Sequence, residues 1–387
     1  MGSVAMGPRA WVVTFSVACV VGCGAAVQSR DGSGSDAPVA VDRVQPNDAT
    51  ASDTVLANDS PADDVAPADD VVATDTAADD ASAPETGASD AATDAPPAMR
   101  DPPALRPYSR GSCPTLIGGA TTDTSLNTGF ATGAQRRQFR LIVPRTYDGS
   151  SDWPVVFMWH WMNASSGSFI RDGELESATE QMHFIAVLPD ALRDAAGNRV
   201  YQLNWPFVEF WGQDGEIQFF DDLLTCVSSQ YRVDRRRVHG VGVSAGGLWL
   251  TFLSTTDRAN YFASIESLSG GLGEVPFAWR MLYRPQVNKF PALVLWGGTS
   301  DWLIVDFNQA SMRFRDELRR DHHFVVTCTH TTGHALPPIP APPDGGTRFR
   351  PLWQFLLDHP YGLPPDDSPY RRTGLPASYP SWCAIAP

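Results

Sequence analysis

The sequence predicts an α/β fold: a mainly parallel sheet with helices on both faces, preceded by a disordered tether. Two observations predict the sheet. Short apolar runs alternate along residues 101–387 with stretches whose apolar residues recur every three or four positions. Strands separated by helices require crossover connections, and crossovers make the strands parallel and cover both faces. A third observation predicts the tether. Almost every Trp, Phe and Tyr lies beyond residue 100, and residues 24–105 contain no aromatic residue at all.

Taken in order, Gln138–Val143 alternates polar and apolar residues like a half-exposed strand, and Pro144 stops it. Val155–Met158 and Phe184–Leu188 are short continuous apolar runs, as buried parallel strands should be. Ile217, Phe220, Leu224, Val227 and Tyr231 fall at helical spacing and predict an amphipathic helix. Val238–Val243 reads as a strand, Ala245–Ser254 as a helix, and Ser264–Leu268 and Ala292–Trp296 as two more strands. Phe307, Ala310, Phe314 and Leu318 form another helical stripe, Phe324–Val326 another strand, and Leu352–Leu357 falls in a closing helix.

The N-terminus reads as an address label. Arg9 precedes an apolar run from Ala10 to Gly22, too short to span a bilayer comfortably but suited to a signal peptide over residues 1–22. The run ends Val20-Val21-Gly22-Cys23, which resembles the bacterial lipobox and implies lipidation of Cys23; Cys19, with Ser16 at the aliphatic position, is the poorer acceptor. Membrane contact is then through the lipid anchor only, in the cell envelope. Residues 31–100 carry 16 acidic residues and two arginines, a net charge of −14, whereas the whole chain is at −15. Such a segment buries too little apolar surface to offset its ordering entropy and repels itself, so residues 23–105 are expected to be an extended tether. No spacing within it resembles an EF-hand loop, and no metal site is expected. The near-neutral domain at 106–387 has no basic patch suited to nucleic acid. Cys113, Cys226, Cys328 and Cys383 remain after export, an even number, and predict two disulfides; the expected pairing is Cys113–Cys383, joining the domain's ends, with Cys226–Cys328 as the consequence.

In open parallel sheets the ligand site lies beyond the carboxyl ends of the strands. Past Val243 stands Gly242-Val243-Ser244-Ala245-Gly246, a G-x-S-x-G sequence between a predicted strand and a predicted helix. That is the context of a nucleophile elbow, where small residues two positions either side of the serine let strand and helix pass closely. Past Trp296 comes Gly297-Gly298-Thr299-Ser300-Asp301, which offers Asp301 to orient a histidine, with Asp306 as the nearest rival. Past Val326 come His330 and, after Gly333, His334; His334 is the expected general base and His330 the competitor. His322 and His323 precede that strand and are expected at the surface. The order Ser244, Asp301, His334 is that of the α/β-hydrolases. An oxyanion hole needs two N–H donors: Ala245 supplies one, and Trp161, with Met162 as the alternative, the other. His160 is read as structural. Trp159, Trp161, Trp205, Phe207, Phe210, Trp211 and Trp302 concentrate near the expected cleft, and Trp159, Trp211 and Trp302 are the candidates for a substrate pocket.

These features resemble the polyhydroxybutyrate depolymerase and feruloyl esterase group of α/β-hydrolases. The marks are Gly111-Ser112-Cys113, Trp159-His160-Trp161, Trp211-Gly212 with Asp214, Tyr231-Arg232-Val233-Asp234 with Arg237-Val238, Gly242 to Gly247, Gly297 to Asp301, and Gly333-His334. The resemblance implies a serine esterase that forms an acyl-enzyme without metal or organic cofactor. Its implied substrates are hydroxycinnamate esters of plant polysaccharide, with hydroxybutyrate polyester and acetylxylan as alternatives. Two departures stand out: His160 is followed by Trp161 where many relatives have Gly, and the loop after His334 is Pro-rich. A non-catalytic binding module and a peptidase of the same fold are the rival readings, and a monomer is expected.

Overall fold

A computed structural model of the chain describes residues 101–207, 211–275 and 279–387. The expected signal peptide, the Cys23 acceptor, the tether up to residue 100 and Phe210 lie outside the described residues.

Nine strands form one sheet. The two N-terminal strands, β1 (Leu126–Thr132) and β2 (Gln135–Ile142), pair antiparallel as a hairpin. Six parallel strands follow: β3 (Trp153–Trp159), β4 (Ile185–Pro189), β5 (Val233–Val243), β6 (Ser264–Leu268), β9 (Ala292–Trp296) and β10 (Val325–Thr329). The intervening β7 (Glu274–Val275) and β8 (Trp279–Arg280) form a separate two-stranded sheet, and β11 (Cys383–Ile385) closes the main one antiparallel to β10. The spatial order is β1-β2-β4-β3-β5-β6-β9-β10-β11. The parallel core and its crossovers are as the apolar runs predict. The edge strands β1 and β11 were not anticipated, because neither carries a continuous apolar run.

Strand alternation divides the interior into two cores. On β3, Val155, Phe157 and Trp159 face one side, where α3 (Gln213–Gln230), α4 (Ala245–Ser254) and α5 (Phe307–Arg320) pack. Val156 and Met158 face the other, with α1 (Ser166–Asp172), α2 (Leu175–Met182) and α6 (Arg350–Leu357). A short α7 (Pro369–Thr373) lies beyond α6 in the chain. On β2, Arg137 points inward, its side chain as buried as that of Glu216 on α3, 2.6 Å away. Burying that pair dry is costly unless both charges stay together, so it ties the hairpin to α3.

The disulfides are Cys113–Cys226 and Cys328–Cys383, which corrects the expected pairing. The reason is topological. The segment before β1 lies along α3: the Ser109 N–H and hydroxyl donate to Asp222, and Gln230 bonds to both Leu116 and Pro114. That places Cys113 over Cys226. The C-terminus instead adds β11 to the opposite edge of the sheet, with Cys383 directly across from Cys328 in register. The domain's two ends never meet. His323 is corrected too: it is buried, hydrogen-bonded to the Phe290 carbonyl and packed on the Phe290 ring, while His322 is exposed as expected.

Candidate active site

The site is built from the turns that follow β5, β9 and β10. Ser244 has φ 56° and ψ −118°, a backbone conformation that few non-glycine residues adopt and that only a surrounding framework maintains. The framework is visible in its neighbours. A Cβ on Gly242 would lie 2.3 Å from the Gly246 carbonyl oxygen, and one on Gly246 would lie 2.0 Å from that of Trp159. The two flanking glycines of the G-x-S-x-G sequence are thus demanded by backbone contact. The turn leaves Ser244 at the N-terminus of α4, where helix N–H groups favour negative charge.

Ser244 Oγ is 2.9 Å from His334 Nε2, and His334 Nδ1 is 2.6 Å from Asp301 Oδ1. Asp301 is fully buried, and its other oxygen accepts from Ser269 Oγ at 2.8 Å and the Gly297 N–H at 2.7 Å. Burial on its own would raise the Asp301 pKa; the hydrogen bonds from His334, Gly297 and Ser269 outweigh it and hold the carboxyl below its ordinary value. An ionised Asp301 fixes a proton on His334 Nδ1 and leaves Nε2 free to accept the Ser244 proton. Ser269, itself at φ 45°, is a member of the site that the sequence did not disclose; it sits one residue past β6, where no motif marks it.

The rivals go elsewhere. Asp306 accepts from the Gln309 N–H and caps α5. His330 Nδ1 accepts from the Thr332 hydroxyl and N–H, and its ring is buried edge-on to Trp382. His160 is structural: Nδ1 donates to the Trp161 carbonyl, Nε2 accepts from the Ala191 N–H, and burial lowers its pKa.

Among the described residues, no protein acceptor takes the N–H of Ala245, Trp161 or Met162. Ala245 and the loop after β3 lie on the two sides of the turn, since Gly246 packs on the Trp159 and His160 carbonyls. The N–H groups of Trp161 and Met162 are the two donors that this loop offers.

Beside Ser244 and His334 opens a cavity of about 290 Å³ whose exposed wall is chiefly apolar. Trp161, Phe169, Leu336, Phe349, Leu352 and Trp353 supply most of that wall, with Asp172 at one side. Trp159, Trp211 and Trp302, the candidates for the pocket, do not line it. Trp159 is a core residue, 2 % exposed and packed on Phe157 and Phe220, because its position on β3 directs it into the sheet's interior. Trp205 and Phe207 are also buried. Trp211 and Trp302 are 57 % and 64 % exposed and lie outside this cavity. Of the aromatic residues that do line it, Trp161 comes from the loop after β3, where the sequence places it, whereas Phe169 comes from α1, Trp353 from α6 and Phe349 from the turn before α6, and Leu336 from the Pro-rich loop after His334.

No family model matches the chain. It is similar to feruloyl esterase D of Neurospora crassa, 26 % identical over 162 residues, which are 41 % of this chain and 52 % of that protein. The chain thus spans about half the length of that relative. It is also similar to an oxidized polyvinyl alcohol hydrolase of Sphingopyxis sp., 25 % identical over 339 residues, covering 70 % of this chain and 87 % of the relative. Among solved structures, native pOPH matches with a TM-score of 0.54 at 20 % identity, over 71 % of this chain and 97 % of its own. Native sOPH matches with a TM-score of 0.54 at 18 % identity, over 73 % and 97 %. The fold is that of the α/β-hydrolases, and the relatives in sequence are ester-cleaving and related hydrolases. The disulfides are compatible with export.

Proposed function

We propose that the chain is a serine carboxylic-ester hydrolase in which Ser244, His334 and Asp301 act as a catalytic triad. The observation that carries this is the unbroken hydrogen-bonded line from Ser244 Oγ through His334 to Asp301, at 2.9 and 2.6 Å. His334 Nε2 removes the hydroxyl proton as Ser244 attacks the ester carbonyl. The developing oxyanion is held by the N–H of Ala245 and that of Trp161 or Met162. His334 returns the proton to the leaving alcohol, and a water activated in the same way releases the acid.

The acyl group occupies the apolar cavity, and the substrate is a hydroxycinnamate ester, as for the feruloyl esterase relative. The indole of Trp161 and the ring of Phe169, 6.0 Å apart and tilted by 40°, offer aromatic surface to a phenolic ring. A second reading is an aliphatic polymer ester. It is favoured by the longer match to the polyvinyl alcohol hydrolase and by Leu336, Pro337 and Leu352 in the same wall. In either case the enzyme is exported, anchored by lipid at Cys23 and carried on the acidic tether.

The deciding experiment compares kcat/KM for methyl ferulate with that for a hydroxybutyrate oligomer, in wild type and in Trp161→Ala. The hydroxycinnamate reading expects a preference for methyl ferulate that Trp161→Ala reduces. Preference for the oligomer, or ferulate turnover indifferent to Trp161, overturns it.

A further inference from the structure

A second cavity, of about 260 Å³, opens at the carboxyl ends of β3 and β4, on the other side of the loop that carries Trp161. Polar groups make up a much larger share of its wall than of the apolar slot beside Ser244, with His160, Ser165, Gln138 and Asp190 contributing. Its charges are uneven. The Asp190 carboxylate is saturated by the Ser166 N–H and hydroxyl and by Gln138, with Arg140 at 3.9 Å. Arg137, which also lines the cavity, is matched by buried Glu216. Arg136 and Arg193 on the rim are different. Each donates only to a carbonyl, of Gly129 and of Gly197, and neither forms an ion pair among the described residues. Asp194, the acid next in sequence to Arg193, accepts instead from Ala196 and Asn198 within its own turn.

A hollow of mixed polarity lined by two guanidinium groups that have no ion-pair partner among the described residues is suited to a carboxylate on a hydroxyl-rich molecule. Guanidinium forks bind carboxylates with two parallel hydrogen bonds, and the neutral lining can serve sugar hydroxyls. The cavity and the slot beside Ser244 are lined by consecutive residues of one loop, His160 in the first and Trp161 in the second. The His160 carbonyl lies 2.7 Å from where a Cβ of Gly246 would be, and Gly246 is two residues beyond Ser244. We propose that this cavity binds an acidic saccharide, a hexuronate unit, through Arg136 and Arg193. Resting on the ester-hydrolase reading, it is the place where the alcohol side of a substrate borne on an acidic polysaccharide is gripped.

The test is calorimetric titration of the wild-type protein with trigalacturonate and with its carboxyl-reduced neutral counterpart, repeated with the Arg136→Gln/Arg193→Gln double variant. Both arginines are exposed, so the variant keeps its fold, which circular dichroism checks. The charged trimer should bind more tightly than the neutral one, weaken as salt is raised, and lose roughly tenfold or more in affinity in the variant. Lys289→Gln/Arg319→Gln, in a basic cleft lined also by His322 and the C-terminal Pro387, should leave the affinity unchanged. Equal binding of the two trimers, no binding of either, or an unaffected Arg136/Arg193 variant overturns the proposal. Because trigalacturonate is not an ester, the titration is independent of turnover. Should no ester be cleaved, the hydrolase reading fails while this result still decides the binding site.

Discussion

The ring of Phe307 lies nearly parallel to the imidazole of His334, with centroids 4.4 Å apart and planes 18° apart. Asp301 holds one edge of that imidazole through Nδ1, and Phe307, the first residue of α5, supports its face. The imidazole is thereby fixed in orientation by two residues six apart in sequence, and the Phe307 N–H donates to the Asp301 carbonyl between them. Phe307→Leu keeps an apolar side chain but removes the flat support. It should lower kcat by several-fold to tenfold with little change in KM, because a misaligned base weakens the transition state more than substrate binding. Steady-state kinetics on any turned-over ester measures this split.

Replacing Asp301 by Asn leaves a side chain of the same shape but removes the charge and reverses one hydrogen bond. The wrong imidazole tautomer is then favoured, and kcat should fall by about 10⁴. Ser244→Ala and His334→Ala should each lose as much, and the double variant little more, because the residues act as a unit. His330→Ala should cost far less than His334→Ala. The opposite ranking would move the base to His330.

Stability should decline in mild acid through buried histidines, His323 and His359 among them. Burial pushes the pKa of both His323 and His359 down to about 4. In the unfolded chain they titrate near 6.5, so between about pH 6.5 and 4 the unfolded state binds more protons and stability falls as pH falls. His359 donates from Nδ1 to Phe355 and accepts at Nε2 from Ser368, an arrangement that only the neutral ring can make. His359→Gln should flatten the fall of Tm with decreasing pH while lowering Tm at neutral pH. A wild-type Tm independent of pH across that window would contradict this.

Breaking the buried Arg137–Glu216 pair from one side should be more damaging than removing a disulfide. Glu216→Ala leaves a guanidinium charge buried and should cost about 3–5 kcal/mol. The Cys328→Ser/Cys383→Ser variant should cost about 2–4 kcal/mol. Urea unfolding of the variants ranks them.

Much of this arrangement could be read from residue order alone. Ser244, Asp301 and His334 each stand just past an apolar run, and the sheet brings those three strand ends together. What escaped the sequence depended on partners far away in the chain. Trp159 was assigned to the cleft because it closes a strand, but alternation on β3 turns it into the core beside Phe157. The disulfide pairing escaped because nothing in the spacing of four cysteines tells that one end of the domain lies on α3 and the other on the β10 edge. Trp353 and Phe349 were missed as cavity residues because helical periodicity marks them as buried without saying which space they border.

The central claim, that Ser244 is the nucleophile of an ester hydrolase, is tested most directly by mass spectrometry of the protein after reaction with a fluorophosphonate. Labelling should be stoichiometric and confined to the peptide bearing Ser244, with parallel loss of methyl ferulate hydrolysis and no labelling of Ser244→Ala. Labelling at another residue, or full ester hydrolysis by Ser244→Ala, would contradict it.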